Sequence, residues 1–80
     1  MQTHQSFGVM EYKQDASGIR QEPIHRLDAW TYEDAALQVL GEGLTLIADA
    51  RIRGMAYLVA KVWDGNGFRY AYRYPTQATH

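Results

Sequence analysis

Apolar residues follow a helical spacing in the middle of the chain. The positions i, i+3, i+4, i+7 and i+8 of this segment are occupied by Tyr32, Ala35, Ala36, Val39 and Leu40. Thr31 is suited to the N-cap, and Asp34 stands where a capping box usually has Glu or Gln. The segment Gly41-Glu42-Gly43 ends the pattern. We therefore predict a helix whose outer surface is formed by Glu33, Asp34, Gln38 and Glu42.

Two β-forming runs precede this helix. Residues 7–12 alternate between apolar and polar positions, and Asp15-Ala16-Ser17-Gly18 supplies turn residues before a second run near residues 23–27. The pattern predicts an N-terminal hairpin. Because Pro23 has no backbone N–H to donate, its strand should be an edge strand or begin after it.

Three β-runs are predicted after the helix. Residues 44–53 alternate cleanly and lead to Gly54, where we expect a hairpin, and a second hairpin turns at Asp64-Gly65-Asn66-Gly67. The predicted order is β-β-α-β-β-β, an α+β fold with a mostly antiparallel sheet and one helix packed on one face. With 80 residues and 46% hydrophobic content, the chain can close one core, so residues 1–80 are predicted to form a single domain with polar ends at 1–5 and 77–80.

The last hairpin decides which side chains share a face, because loop length sets the register. A three-residue loop, 65–67, pairs Asp64 with Phe68 and places Leu58, Ala60 and Val62 beside the tyrosines of residues 70–74. A two-residue loop would put Lys61 among these tyrosines and expose the three apolar residues. We therefore predict that Tyr70 and Tyr72 are buried beneath the helix, while Lys61 and Trp63 face outward.

This register predicts a basic outer wall on the sheet. Its members are Arg51, Arg53, Lys61, Arg69 and Arg73, with Tyr57, Val59 and Trp63. Acidic residues are concentrated earlier, from Leu27 to Ala50, at Asp28, Glu33, Asp34, Glu42 and Asp49. The net charge of -1 is therefore the sum over two oppositely charged regions.

Chemical motifs are weak in this sequence. The absence of cysteine rules out a disulfide and a thiolate metal cage, and the residues His4, His25 and His80 lack metal-ligand spacing. Glu33 and Asp34 are adjacent, so on a helix they diverge by roughly 100° and do not form a facing acid–base pair. We expect no enzyme, no metal and no cofactor. No apolar run approaches the ~18 residues that would cross a bilayer, which predicts a soluble cytoplasmic protein.

The segment Asp28–Glu42, placed between a hairpin and three further strands, resembles small phage-encoded anti-CRISPR proteins directed at type I systems. This resemblance implies no catalytic residues. It implies a protein that binds the RNA-guided surveillance complex in the bacterial host cell and blocks either target DNA binding or nuclease recruitment.

Two surfaces are candidates for such binding. The acidic side, with Asp28, Glu33, Asp34 and Glu42, would imitate DNA phosphates against a basic groove. The outer sheet, with Arg51, Tyr57, Lys61, Trp63, Arg69 and Arg73, would dock on an acidic protein patch.

Two alternatives use the same outer sheet. It would bind nucleic acid if its cations held phosphates while Trp63 stacked on a base, or it would form a homodimer interface. The acidic surface would repel a phosphate chain that wraps beyond one face. We therefore expect no appreciable binding of nucleic acid by the isolated protein at about 0.15 M salt.

Overall fold

The computed structural model of the protein describes residues 5–75. Its elements are strands β1 (Gln5–Asp15), β2 (Gly18–Gln21) and β3 (His25–Ala29), helix α1 (Tyr32–Leu40), and strands β4 (Thr45–Ile47), β5 (Leu58–Trp63) and β6 (Phe68–Tyr72). A short 3₁₀ turn, Ala50–Ile52, lies between β4 and β5. The α+β class and the helix are confirmed. The predicted polar ends lie outside the described residues, except Gln5, which begins β1.

All pairings in the sheet are antiparallel. Strand β1 pairs with β2 and β3 along one edge and with β5 along the other, and β6 and β4 follow beyond β5. The predicted return strand of the N-terminal hairpin is therefore broken into β2 and β3. The break contains Pro23, which cannot donate to the ladder, and β3 begins after it as expected. The observed order has three strands before the helix instead of two.

Small side chains bring α1 close to the sheet. Ala35 and Ala36 of the helix are fully buried in one cluster with Ala60 of β5 and Ala71 of β6. The predicted cap is present, because the Thr31 hydroxyl oxygen accepts a hydrogen bond from the Asp34 N–H at 3.0 Å. The predicted inner face of the helix is therefore correct, with Tyr32, Val39 and Leu40 packed around the alanines.

The register of the last hairpin differs from the prediction. Trp63 pairs with Phe68, Lys61 pairs with Tyr70, and the Asp64 N–H donates to the Gly67 carbonyl oxygen at 3.0 Å, so the register is that of the two-residue loop and not of the preferred three-residue loop. Ala71 consequently faces the helix, whereas Tyr70 lies half-exposed on the opposite face. A tyrosine ring would not fit under a helix that approaches through alanines.

Other parts of that prediction are confirmed. Leu58, Ala60 and Val62 are buried, and Lys61 and Trp63 face away from the helix. An irregularity between Leu58 and Ala60 places Leu58 opposite Tyr72. Tyr72 is buried as predicted, but on the face away from the helix.

The predicted strand over residues 44–53 is wrong beyond Ile47, and there is no hairpin at Gly54. Strand β4 pairs with β6 instead of β5. The Asp49 carboxylate accepts from the Arg51 N–H at 2.9 Å, which favours the 3₁₀ turn over a continued strand. The Tyr72 hydroxyl lies 2.7 Å from the Gly54 carbonyl oxygen, so the connection 48–57 covers this buried tyrosine.

The helix packing predicts unequal costs for the same substitution at two helical positions. Leu40→Ala should lower the free energy of unfolding by about 1 to 3 kcal/mol, because Leu40 packs against the core. Leu37→Ala should change it by less than about 0.5 kcal/mol, because Leu37 is 47% exposed. Chemical denaturation of both variants tests this, and equal losses would contradict the assigned face.

Candidate binding face

The sheet face opposite α1 carries a cluster of aromatic and apolar side chains. We call this cluster, Met10, Lys61, Trp63, Phe68 and Tyr70, the open face. Cross-strand pairing assembles it in two rows: Gly8 pairs with Trp63, which pairs with Phe68, and Met10 pairs with Lys61, which pairs with Tyr70. Paired residues project from the same side of a sheet. The face therefore draws on β1, β5 and β6.

Trp63 lies flat against the backbone of β1. A Cβ built on Gly8 would stand 2.5 Å from both Cε2 and Cζ2 of the Trp63 indole. The absence of a side chain at Gly8 is thus what permits this contact. Trp63 in turn buries Gly8 and forms one end of the open face.

Phe68 and Tyr70 form the other side of the open face. Their ring centroids are 5.4 Å apart in an edge-to-face arrangement, and Phe68 is 39% exposed. The Lys61 ammonium lies 4.7 Å from the centre of the Phe68 ring. A shallow pocket of about 360 Å³ opens between these side chains, with Asp64 and Gly67 at its margin.

Charges are sparse on this face. Lys61 forms no ion pair with a carboxylate anywhere in residues 5–75. Arg26 and Asp28 of β3 pair with Gly8 and Ser6 and so stand at the rim on the same side of the sheet. The open face is thus an aromatic centre with one cation inside it and a polar rim.

The β5–β6 loop beside the pocket is organised by Asp64. Its Oδ1 accepts from the backbone N–H groups of Asn66 at 2.8 Å and Gly67 at 2.9 Å. The Tyr32 hydroxyl donates to the same oxygen at 2.9 Å, which ties the loop to the helix. Burial raises the pKa of the Asp64 carboxyl, but these hydrogen bonds outweigh burial and hold that pKa below its usual range.

The predicted acidic side is not one surface. Glu33 and Glu42 are exposed on and just after the helix, but Asp28 stands at the rim of the opposite face. Asp34 is half-buried and serves the helix start, where it accepts from the Trp30 N–H at 3.0 Å. Asp34 therefore stabilises the start of the helix, as its predicted capping position indicated. It does not contribute to an exposed acidic patch.

The predicted basic outer wall is also wrong, since only Lys61 and Trp63 of its proposed contact residues lie on the open face. The shifted register turns Arg69 to the helix side, where its guanidinium lies 4.6 Å from the Tyr32 ring centre. Arg73 donates to the Leu40 carbonyl oxygen at 2.6 Å.

The remaining predicted contact residues belong to the connection 48–57. Arg51 forms an ion pair with Asp49 at 2.8 Å, and Arg53 lies over the Tyr74 ring. Tyr57 is exposed and contacts Tyr74 edge to face.

Sequence reasoning did not propose Met10, Phe68 or Tyr70 as contact residues. The three-residue loop places Phe68 and Tyr70 beside Leu58, Ala60 and Val62, on the predicted core wall. The rejected two-residue loop, which places Lys61 opposite Tyr70, would have assigned Phe68 and Tyr70 to the same face as Trp63. Met10 follows Val9 on β1, and adjacent residues of a strand project to opposite faces of the sheet. Because Val9 faces the helix, Met10 faces away from it.

A larger groove of about 550 Å³ lies on the helix side, next to Val39, Leu40 and Val59. Its charged groups already have partners within the chain. Glu11 pairs with Lys13 at 3.5 Å, and Arg73 is held by the carbonyls at the end of the helix. Lys61 on the open face has no such partner in the described part of the chain, which makes the open face the better candidate.

Comparison with protein families, with curated proteins and with solved structures finds no match to this chain. Among residues 5–75, no group of three His, Cys, Asp or Glu side chains is placed to hold a metal ion. Helix α1 is too short to cross a membrane, and it is the only α-helix in that range.

The Trp63–Gly8 contact predicts a strong effect of one methyl group. Gly8→Ala should displace the indole, lowering the free energy of unfolding by about 1 to 3 kcal/mol and shifting the Trp63 indole N–H resonance. Gly65→Ala is the matched control, because a Cβ at Gly65 meets nothing within 4 Å. Denaturation and NMR spectra of both variants provide the measurement. A silent Gly8→Ala would contradict the flat packing of Trp63.

The lowered pKa of Asp64 predicts a loss of stability in acid. Because its folded pKa lies below the unfolded value of about 3.9, Asp64 stabilises the protein above that value, and this contribution is lost as pH falls through the folded pKa. Tyr32→Phe removes one donor and should make the fall in melting temperature below about pH 4 shallower. Tyr57→Phe, at an exposed tyrosine, should retain the wild-type profile. Identical profiles for Tyr32→Phe and wild type would contradict the assigned role.

Proposed function

We propose that this protein is a non-enzymatic inhibitor that docks its open face on a protein partner, and that the partner is a type I CRISPR surveillance complex in the cytoplasm of a bacterial host. The observation that carries the docking proposal is the aromatic centre of the open face. Trp63, Phe68 and Tyr70 are gathered on a sheet face that α1 leaves uncovered.

The composition of this face matches that of protein interfaces. The centre of an interface is depleted in charged residues and enriched in aromatic residues and Met, while its rim is polar. Trp63, Phe68 and Met10 provide such a centre, and Arg26 and Asp28 provide part of the rim. Buried aromatic anchors of this kind carry most of the binding energy in many complexes.

The choice of partner rests on the resemblance of Asp28–Glu42 and its surrounding strands to anti-CRISPR proteins. A small inhibitor of this type acts by occupancy, because a partner surface covered by the open face is closed to DNA or to the nuclease. Such a mechanism requires affinity and shape complementarity, and it requires no reacting group on the inhibitor. Blocking of target DNA binding and blocking of nuclease recruitment are both consistent with this proposal.

A second candidate function, binding of single-stranded nucleic acid, is favoured by one observation. Trp63 and Phe68 are displayed on a sheet, where aromatic rings commonly stack on bases. However, strong binding of this kind relies on several contacts to phosphates. The open face and its rim offer Lys61 and Arg26, whereas Arg69 and Arg73 lie on the helix side.

The docking proposal predicts that aromatic truncation abolishes binding. Trp63→Ala combined with Phe68→Ala should weaken binding to a purified type I surveillance complex by about a hundredfold or more, because two anchors are lost. Binding is measured by biolayer interferometry on complexes of several type I subtypes, after thermal melts show that the variant is folded. Leu37→Ala is the control, since the Leu37 side chain is exposed on helix α1, on the other side of the sheet from the open face.

A further variant separates the two surfaces considered from the sequence. Glu33→Lys with Glu42→Lys reverses two exposed charges on the helix side and should leave binding within about threefold of wild type. Loss of binding in this variant, with binding retained in the aromatic variant, would instead support imitation of DNA by the acidic side. Failure of the wild-type protein to bind any type I complex would refute the inhibitor proposal.

A further inference from the structure

We infer that the partner of the open face is an acidic protein surface that places a carboxylate opposite Lys61, inside the contact made by the aromatic side chains. This inference rests on the proposed function, because it describes the partner that the same face would bind. It assigns a recognition role to Lys61, a residue with no ion-pairing partner in the described chain.

The position of Lys61 within the face is the first argument. Its side chain is half-buried, with Met10 and Tyr70 on the paired strands at either side. The ammonium lies over the Phe68 ring at 4.7 Å, where attraction to the ring face offsets part of its lost hydration. The remaining hydration comes from the open side of the face, where a docked partner would replace water.

Desolvation supplies the second argument. An aromatic partner surface that covered Lys61 without a counter-charge would leave a buried and unpaired ammonium, which is strongly unfavourable. A carboxylate facing Lys61 removes this penalty and forms a charge-assisted hydrogen bond. The aromatic centre therefore favours tight docking only on a surface that carries an acid at this position.

A second copy of the chain fits this requirement poorly. Lys61 is the middle residue of the row Met10–Lys61–Tyr70, so a two-fold axis through the middle of this row would bring two Lys61 ammonium groups together. Like charges that meet in a desolvated contact repel each other. The acids nearest to the face are also poorly placed to pair with a second Lys61. Asp64 already accepts two hydrogen bonds from its own loop and one from the Tyr32 hydroxyl of the helix, and Asp28 lies at the rim.

A nucleic acid also fits less well than an acidic protein. One cation inside the face and one at its rim neutralise few phosphates, and Asp28 at the same rim repels a passing phosphate chain. A single carboxylate bordered by apolar side chains matches a single ammonium bordered by Met10, Trp63 and Phe68.

The test compares substitutions at two lysines on surveillance complexes that bind the wild-type protein. Lys61→Met keeps the length and apolar stem of the side chain, and the neighbouring Met10 and Phe68 accommodate a thioether. We expect Lys61→Met to weaken binding at least about tenfold and Lys61→Glu at least about a hundredfold, mainly through faster dissociation. Lys13→Met and Lys13→Glu are the matched controls, because Lys13 is exposed and lies outside the open face, and both should bind as wild type.

Four outcomes overturn the inference in different ways. If the complex binds wild type and both Lys61 variants equally, the proposed carboxylate is refuted while the inhibitor proposal stands. If no complex binds wild type, the proposed carboxylate and the inhibitor proposal are both refuted. If the isolated wild-type protein binds (dT)₁₂ or (U)₁₂ oligonucleotides at about 0.15 M salt and Lys61→Glu does not, the anion is a phosphate. If light scattering shows a dimer that Trp63→Ala dissociates, the occupant is a second copy.

Discussion

The close approach of α1 to the sheet through alanines is the constraint on which the rest of the structure depends. Ala35 and Ala36 meet Ala60 and Ala71 in one buried cluster, so the space between the helix and β6 is too narrow for a large ring at position 71. Side chains alternate along β6, and Ala71 can face the helix only if Tyr70 and Tyr72 face away from it. The helix contact thus directs the aromatic residues of the last strand to the opposite face.

That opposite face is covered at one end and uncovered at the other. The connection 48–57 lies over Tyr72, whose hydroxyl contacts the carbonyl oxygens of Ala50 and Gly54. The chain provides no similar cover for Trp63 and Phe68 within the described residues. Because Gly8 has no side chain, the Trp63 indole packs flat on the backbone of β1, and this ring lies along the sheet instead of projecting from it. The open face follows from these contacts together.

The elements set by local chemistry could be predicted from the sequence. The helix was recognised from its apolar spacing and from Thr31, because both signals act within a few residues. The break of the N-terminal return strand near Pro23 follows from the missing N–H. Strand β4 was predicted too long, because the alternation of residues 44–53 gave no sign that Asp49 would begin a turn.

The register of the last hairpin could not be read from apolar pattern alone. Both faces of β5 and β6 carry large apolar side chains, and the prediction assumed that the tyrosines belong beneath the helix. The Asp64 carboxylate accepts hydrogen bonds from the loop N–H groups and the Tyr32 hydroxyl, which supports the loop that joins Asp64 to Gly67 in place of the preferred three-residue loop. Trp63 and Lys61 were assigned to the outer side correctly, but Arg69 and Arg73 followed the wrong register.

Hydroxyl-radical footprinting tests most directly whether the open face is the docking face. Aromatic and sulfur-containing side chains react readily with this probe, and the open face contains Met10, Trp63, Phe68 and Tyr70. Trp30, which stands just before the N-cap of α1, is exposed outside this cluster and serves as the internal reference. On binding to a type I surveillance complex, we expect oxidation of the four open-face residues to fall severalfold and oxidation of Trp30 to remain unchanged. Protection of Trp30 with unchanged oxidation of Trp63 and Phe68 would contradict the account.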